Sequence, residues 1–383
     1  MRNWFWLLSL LVLAACAQQG DSNGAAASTD SRIALRRAKN IQLSRTAGGC
    51  YRLHIPSAWQ AGGEGRSYFM CPSEGSAQAS QGGEQRIWLP AQRIVCTSTV
   101  QAAMLAFLGE AHRIVGMTDG RYLYNADLLA RLQKGDIVDL GNDGTIDYER
   151  LVALKPDLVL LFGQGGASQL AEQLQRLEIP HLYIAEYLEE DVLGRAEWLR
   201  LMGILVGKEA HADSLYEHAI YAPYETLREQ LAQRPQARPE PSVITGVAYE
   251  GTWYAAGGRS YIAQLIRDAG SSYLWHADTT RGSLPLSWER AYAEGKGAYF
   301  WINVGQVRTL AELRAMDARY AEWEACERER VFNYHKRVSA AGGYDIFESA
   351  VVQPHLLLQD LARILRYTND YQEDSLYYYA RLK

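Results

Sequence analysis

The chain reads as an α/β protein of two lobes with parallel sheets, joined by a single long helical connector. Three observations predict this. Continuous apolar runs alternate with helix-like segments over 93–188, and the alternation resumes after 239. Apolar runs of that kind are strands buried on both faces, as a parallel sheet requires. Between them, from 189 to 238, helical spacing continues without a strand signal. Finally, one small block occurs twice, as YERLVALKPDLVLLFG over 148–163 and WERAYAEGKGAYFWIN over 288–303. Each copy begins with an aromatic residue and Glu-Arg, then runs through helix-like sequence into an apolar stretch. At 383 residues the chain is too long for one ordinary core, so a unit used once per lobe is the simplest account.

The N-terminus MRNWFWLLSLLVLAAC has an early positive charge at Arg2, an apolar run from Trp4 to Leu13, and small Ala14 and Ala15 before Cys16. Residues 1–15 therefore read as a secretory signal, too short for a permanent membrane span. The Leu-Ala-Ala-Cys ending resembles a bacterial lipobox, which implies cleavage before Cys16 and lipidation of its thiol. More than one acyl chain would then hold the protein at a membrane surface. Behind Cys16 the sequence AQQGDSNGAAASTDSR is nearly devoid of large apolar side chains, and residues 16–49 are expected to form a flexible tether.

Residues 50–92 read as a β extension. CYRLHIP and RSYFMC resemble two hairpin strands, and a symmetric hairpin would set Cys50 opposite Cys71. An exported chain permits that disulfide, although spacing alone leaves the connectivity open. Cys96, inside the apolar run RIVCT, is expected to be a buried free thiol.

The N-terminal lobe, 93–188, follows as RIVCT, the helix TVQAAMLAFLG, RIVGMT, the helix IDYERLVALK, DLVLLFG, the helix ASQLAEQLQRLE and HLYIAE. The connector, 189–238, shows Val192, Ala196, Leu199 and Met202 on one helical face. Gly207 and Pro223 should break or kink it, and QRPQARPEP ends it. The C-terminal lobe, 239–367, runs through SVITGV, RSYIAQLIRDAG, SYLW, SWERAYAE, AYFWIN, RVFNYH and the helix PHLLLQDLARIL, leaving 368–383 as a tail.

Ligands of such sheets sit beyond the carboxyl ends of the strands. DLVLLF is followed by Gly163, Gln164, Gly165 and Gly166, and HLYIA by Glu186 and Tyr187. SVITGV is followed by Tyr249, Glu250, Trp253 and Tyr254, while AYFWIN supplies Trp301, Asn303 and then Gly305. Glycines that let backbone approach, with aromatic rings around them, suit a large and partly flat ligand. Ser98, Tyr122 and Tyr344 complete the expected cleft set.

The ordered series R-I-V-C-T-S, L-G, R-I-V-G and E-R-L-V-A-L-K-P-D-L-V-L resembles the ABC-importer solute-binding proteins for iron–siderophore, haem and cobalamin. GTWYAAGGRSYIAQLIRDAG, LSWERAYA and QPHLLLQDLARIL extend the likeness to about 93–367. The resemblance implies the helical-backbone periplasmic-binding fold, two Rossmann-like lobes bridged by one long helix, with a small hinge motion. It also implies that Phe162 stacks on the ligand, as an aromatic residue does there in the cobalamin branch. Glu149 and Glu289 match the carboxylates, one per lobe, through which the family docks to its permease. Iron-complex binders often set arginines against anionic ligands, and here the cleft edge offers chiefly Arg259 and Arg281.

The expected function is thus an exported, lipid-anchored protein that binds a metal chelate and hands it to an ABC importer. An iron–siderophore comes first, then cobalamin or haem. No cofactor is implied beyond that ligand, and a monomer is expected. The net charge of −5 gives no reason to expect nucleic acid. An exported hydrolase is the alternative of another class, yet no G-x-S-x-G, P-loop or G-x-G-x-x-G appears. A zinc- or manganese-binding relative would need to recruit histidines such as His181, His276 and His335.

Overall fold

The computed structural model describes residues 30–60, 63, 65–72, 84–142, 145–163, 169–234, 240–366 and 373–383. Cys16 and Gln164 lie outside the described residues.

The chain first forms a five-stranded sheet in the order β1 (Ser31–Ile33), β2 (Gln42–Arg45), β3 (Tyr51–Ile55), β4 (Arg66–Cys71) and β5 (Gln85–Trp88). The β3–β4 register pairs Tyr51 with Met70 and Ile55 with Arg66. Cys50 and Cys71 fall opposite one another at the end of that ladder and are disulfide-bonded. Cys96 and Cys326 are free and buried.

Residues 30–49, expected to belong to a flexible tether, instead pack on the protein and supply β1 and β2. The reason is a pair of buried carboxylates on the connector. Glu197 accepts hydrogen bonds from the N–H groups of Arg36, Arg37 and Ala38 at 2.7, 2.7 and 2.8 Å. Glu189 accepts from Lys39 and Asn40 at 2.8 and 2.9 Å, and from the Trp198 indole at 2.9 Å. Charge-assisted bonds to consecutive main-chain donors fasten the segment, and buried Ile41 and Leu43 add apolar contact.

The N-terminal lobe is a parallel sheet of β6 (Ile94–Cys96), β7 (Ile114–Met117), β8 (Val138–Asp139), β9 (Leu158–Phe162) and β10 (His181–Ile184) in the order β10-β9-β6-β7-β8. The chain winds outward from β6 through β7 and β8, then returns to the other side with β9 and β10. The C-terminal lobe comprises β11 (Ser242–Thr245), β14 (Ser272–Tyr273), β16 (Phe300–Ile302), β17 (Val331–Asn333) and β18 (Ala380–Arg381) in the order β14-β11-β16-β17-β18. Only β18 in it is antiparallel. Beside it β12 (Val247–Tyr249), β13 (Thr252–Ala256) and β15 (Ser283–Ser287) form a small antiparallel sheet. Glu250 and Gly251, both at positive φ, make its first hairpin turn.

The repeated block is therefore one helix–strand unit per lobe. The helices Tyr148–Ala153 and Trp288–Gly295 start from caps at Asp147 and Ser287, whose side chains accept from Arg150 and Arg290 N–H. They lead into β9 and β16, each of which pairs with the first strand of its lobe.

The helical connector is present as expected, and at the Gly207 break it folds back on itself as a hairpin. The helix Val192–Leu205 is almost wholly buried and ends at Gly207, which adopts φ +72°. The chain then turns back through Glu209–Leu215, a wide π turn over Tyr216–Tyr221, and Ala222–Ala232. Gly203 lets the two arms touch, since a Cβ there would sit 2.3 Å from that of Ala212. Pro223 stays in the helix directly after the π turn, which accommodates its missing N–H. The C-terminal tail is no tail from 376 onward. Buried Asp360 accepts from the N–H groups of Tyr377, Tyr378 and Tyr379, and β18 closes the lobe sheet.

Candidate ligand-binding site

Winding reverses between β6 and β9 in one lobe and between β11 and β16 in the other, so the crevices lie beyond those strand ends. Beyond β11 and β16 lies a cavity of about 670 Å³, walled by Gly246, Tyr249, Tyr254, Asn303, Met316 and Tyr334 among others. A second cavity of about 260 Å³ shares Gly246, Tyr254 and Asn303 with it and adds Tyr187, Tyr261 and Arg281. Tyr187 brings the N-terminal lobe to this site.

Three of the seven large apolar side chains exposed among the described residues line this cavity. Tyr249 is 65%, Met316 51% and Tyr254 45% exposed, against a core in which most aromatic rings are fully covered. Exposed apolar surface concentrated on one cavity marks a place where something binds.

On β13 the side chains alternate, and this corrects two of the expected contacts. Tyr254 points into the cavity, whereas Trp253 is 0% exposed and faces the core. Trp301 on the central strand β16 is equally buried. The two rings belong to a stack with Trp323 and Tyr320 rather than to the cavity lining. Their role at the site is support. The Trp253 indole donates to the Thr245 carbonyl at 3.0 Å and the Trp301 indole to the Gly246 carbonyl at 2.8 Å, bracing the wall from behind.

Asn303, at φ 60°, lines both cavities, and its Oδ1 accepts from the Tyr379 hydroxyl at 2.7 Å. Phe162, half-buried, ends β9 and packs on Tyr187 with ring centroids 5.1 Å apart. Burial pushes the Tyr187 phenol up to about 12, so it stays a neutral donor and bonds to the Gly163 carbonyl. Ser98 caps the helix Thr99–Phe107 in a reciprocal box with Gln101, which leaves its hydroxyl engaged. Tyr122 is 40% exposed with the Arg121 guanidinium 4.7 Å from its ring centre. Tyr344 is nearly buried, edge-on to Tyr334 at 5.5 Å.

The two rim arginines are not free. Arg259 and Arg281 both bond to one carboxylate oxygen of Glu190, the latter at 2.9 Å. Glu149 and Glu289 are exposed, each in the first turn of its helix. His181 and His276 lie against main-chain carbonyls, of Ile179 at 3.1 Å and Tyr273 at 2.9 Å. Among the described residues no three His, Cys, Asp or Glu side chains come together to hold a metal ion.

Tyr334 was missed by sequence reasoning, yet it lies in the run RVFNYH directly after the last residue of β17, and the same strand-end rule finds it. Tyr261 and Met316 sit on or beside helices with no strand-end signal.

The sequence profile of the family described as periplasmic binding protein matches residues 94–338. The chain is 21% identical over 286 residues to an uncharacterized lipoprotein of Methanocaldococcus jannaschii, covering 72% of this chain and 66% of that protein, just under two thirds. It resembles the crystal structure of a periplasmic haem-binding protein from Pseudomonas aeruginosa with a TM-score of 0.57 and 15% identity, over 76% of this chain and 98% of the other. A periplasmic haem-binding protein from Roseiflexus sp. RS-1 aligns with a TM-score of 0.53 and 15% identity, over 72% and 98%.

Proposed function

We propose, because the chain belongs to the periplasmic binding protein family, that it captures a flat metal chelate of the haem type and delivers it to an ABC importer. The family is one of binding proteins rather than enzymes, and the site accordingly needs shape and contact more than reactive groups.

One observation carries the choice of ligand. The cavity of about 670 Å³ at the β11–β16 crevice is lined by exposed Tyr249 and Tyr254 and by Met316, surfaces that match the face of a macrocycle. The expected order of ligands shifts for an electrostatic reason. A polyanionic siderophore needs uncompensated cations, yet Arg259 and Arg281 are both held by Glu190. Haem, with two carboxylates at one edge, demands less, and the two aligned haem-binding structures support the same choice. Cobalamin and iron–siderophores follow.

Titration of the purified protein with haem tests this reading. A saturable change in the haem absorption band at one equivalent is expected. No band change, together with quenching of tryptophan fluorescence by a ferric siderophore, would replace haem with that class. Delivery is assigned to Glu149 and Glu289 as permease contacts, and anchoring to a lipidated Cys16. The lipoprotein relative supports the anchor.

A further inference from the structure

The N-terminal sheet lies outside the repeated lobes, yet one of its side chains spans them. Beyond β3 the residues Ala58, Trp59 and Gln60 lean on the N-terminal lobe. The Trp59 ring packs 5.5 Å from Tyr183. The Ala58 carbonyl lies where a side chain on Gly163 would begin, 2.0 Å from its ideal Cβ. The Gln60 N–H donates to the Tyr187 hydroxyl at 3.3 Å, and that hydroxyl donates to the Gly163 carbonyl.

From this footing the Gln60 amide crosses to the C-terminal lobe. Its Nε2 donates to the Ser283 carbonyl at 2.6 Å, and its Oε1 accepts from the Ser283 N–H at 3.2 Å. Ser283 opens β15, the edge of the small sheet, so the amide supplies the pairing that a further strand would offer. Gly282 makes room for it, because a Cβ there would lie 2.4 Å from Gln60 Oε1. Tyr187, Gly282 and Ser283 all line the smaller cavity.

We propose that Gln60 is a positioning residue that sets the separation of the lobes at this end of the cleft, and thereby the size of chelate admitted. This rests on the ligand reading above. The amide closes the gap between Tyr187 and Ser283. Without it that end opens, and a bulkier ligand gains room that a planar one does not use.

The experiment uses the full chain carrying Gln60→Ala and, separately, Gly282→Ala, which displaces the amide without touching Gln60. In ligand-free protein, hydrogen exchange at the Ser283 N–H should quicken on the order of 5- to 10-fold in both, as expected for a lost partner worth one modest hydrogen bond, with Tm held. Haem and cobalamin are then titrated as the planar and bulky probes. The affinity ratio should move toward cobalamin by on the order of 5-fold or more. Unchanged exchange in Gln60→Ala overturns the bridge, and quickened exchange with an unchanged ratio overturns the selectivity role. Wild-type protein that binds neither probe overturns the ligand reading, and the ligand-free exchange result still tells whether the bridge exists.

Discussion

Trp253 lies flat on Trp323, with ring centroids 5.0 Å apart and planes 3° from parallel. Trp301 and Tyr320 close the same group, at 5.4 and 6.0 Å from Trp253. The cluster is the packing centre behind the ligand cavity. Trp253→Ala should therefore cost about 3–5 kcal/mol of stability, as for other large aromatic deletions in a core. Chemical denaturation checks this. A variant of unchanged stability that has lost only ligand affinity would place the ring in the cleft after all.

Its neighbour should behave in the opposite way. Tyr254 is 45% exposed and lines both cavities. Tyr254→Ala should weaken haem binding by roughly 1–3 kcal/mol if the ring is covered by the ligand, with stability changed by less than about 0.5 kcal/mol. Calorimetric titration beside thermal melts separates the two effects.

Glu149 and Glu289 occupy the same helical position in the two repeated units, one per lobe, and both are exposed. A permease that grips both carboxylates can pull the lobes apart. Glu149→Lys combined with Glu289→Lys should leave haem affinity within about twofold and abolish uptake, since like-charge contacts cost several kcal/mol. The single reversals should be intermediate and salt-sensitive. Wild-type uptake by the double variant removes the docking role.

Glu348 joins the lobes by accepting from the main-chain N–H groups of Tyr124 and Asn125, the second at 2.9 Å. Burial raises its carboxyl from the usual 4.5 to about 7, and the two N–H bonds offset this only in part. A raised folded value means the stabilising contribution is complete below about 4.5 and is lost as pH rises through 7. Wild-type stability should therefore fall between pH 5 and 8 by roughly 1–3 kcal/mol more than that of Glu348→Gln, which does not titrate. Melts across that range on both proteins give the difference, and parallel curves would assign the titration elsewhere.

Lipidation calls for a simple fractionation. Cys16→Ser should move the protein from the membrane to the soluble fraction while haem binding is retained, because the residues that line the cavities do not include position 16. Retention in the membrane fraction would mean that something other than the Cys16 thiol holds the chain there.

Much of the architecture was legible because it rests on local periodicity. The runs IVC, LVLLF, HLYI, SVIT and FWI are strands β6, β9, β10, β11 and β16 in the structure. The repeated block foretold two equivalent units, and the strand-end rule led to Tyr187, Tyr249, Tyr254 and Asn303 at the cavities. Gly207 was a visible break, yet a break does not say whether the helices continue in line or fold back. The contact of Gly203 with Ala212 decided that.

What sequence determined by itself, then, was which segments become buried strands and which become helices, since apolar spacing carries that information along the chain. Tertiary structure alone decided which side of a strand faces the cavity. Trp253 and Tyr254 are adjacent and chemically alike, and a pleat turns one into the core and the other into the cavity. It also decided the fate of the buried carboxylates. Glu189, Glu197 and Asp360 look like ordinary polar positions in helical sequence, but each is covered and holds consecutive main-chain N–H groups. The main-chain donors on Glu189 and Glu197 lie about 150 residues or more away in sequence. A carboxylate carries no local sign of such partners. Gln60 is the same case, because its amide has a role only once β15 from the other lobe stands beside it.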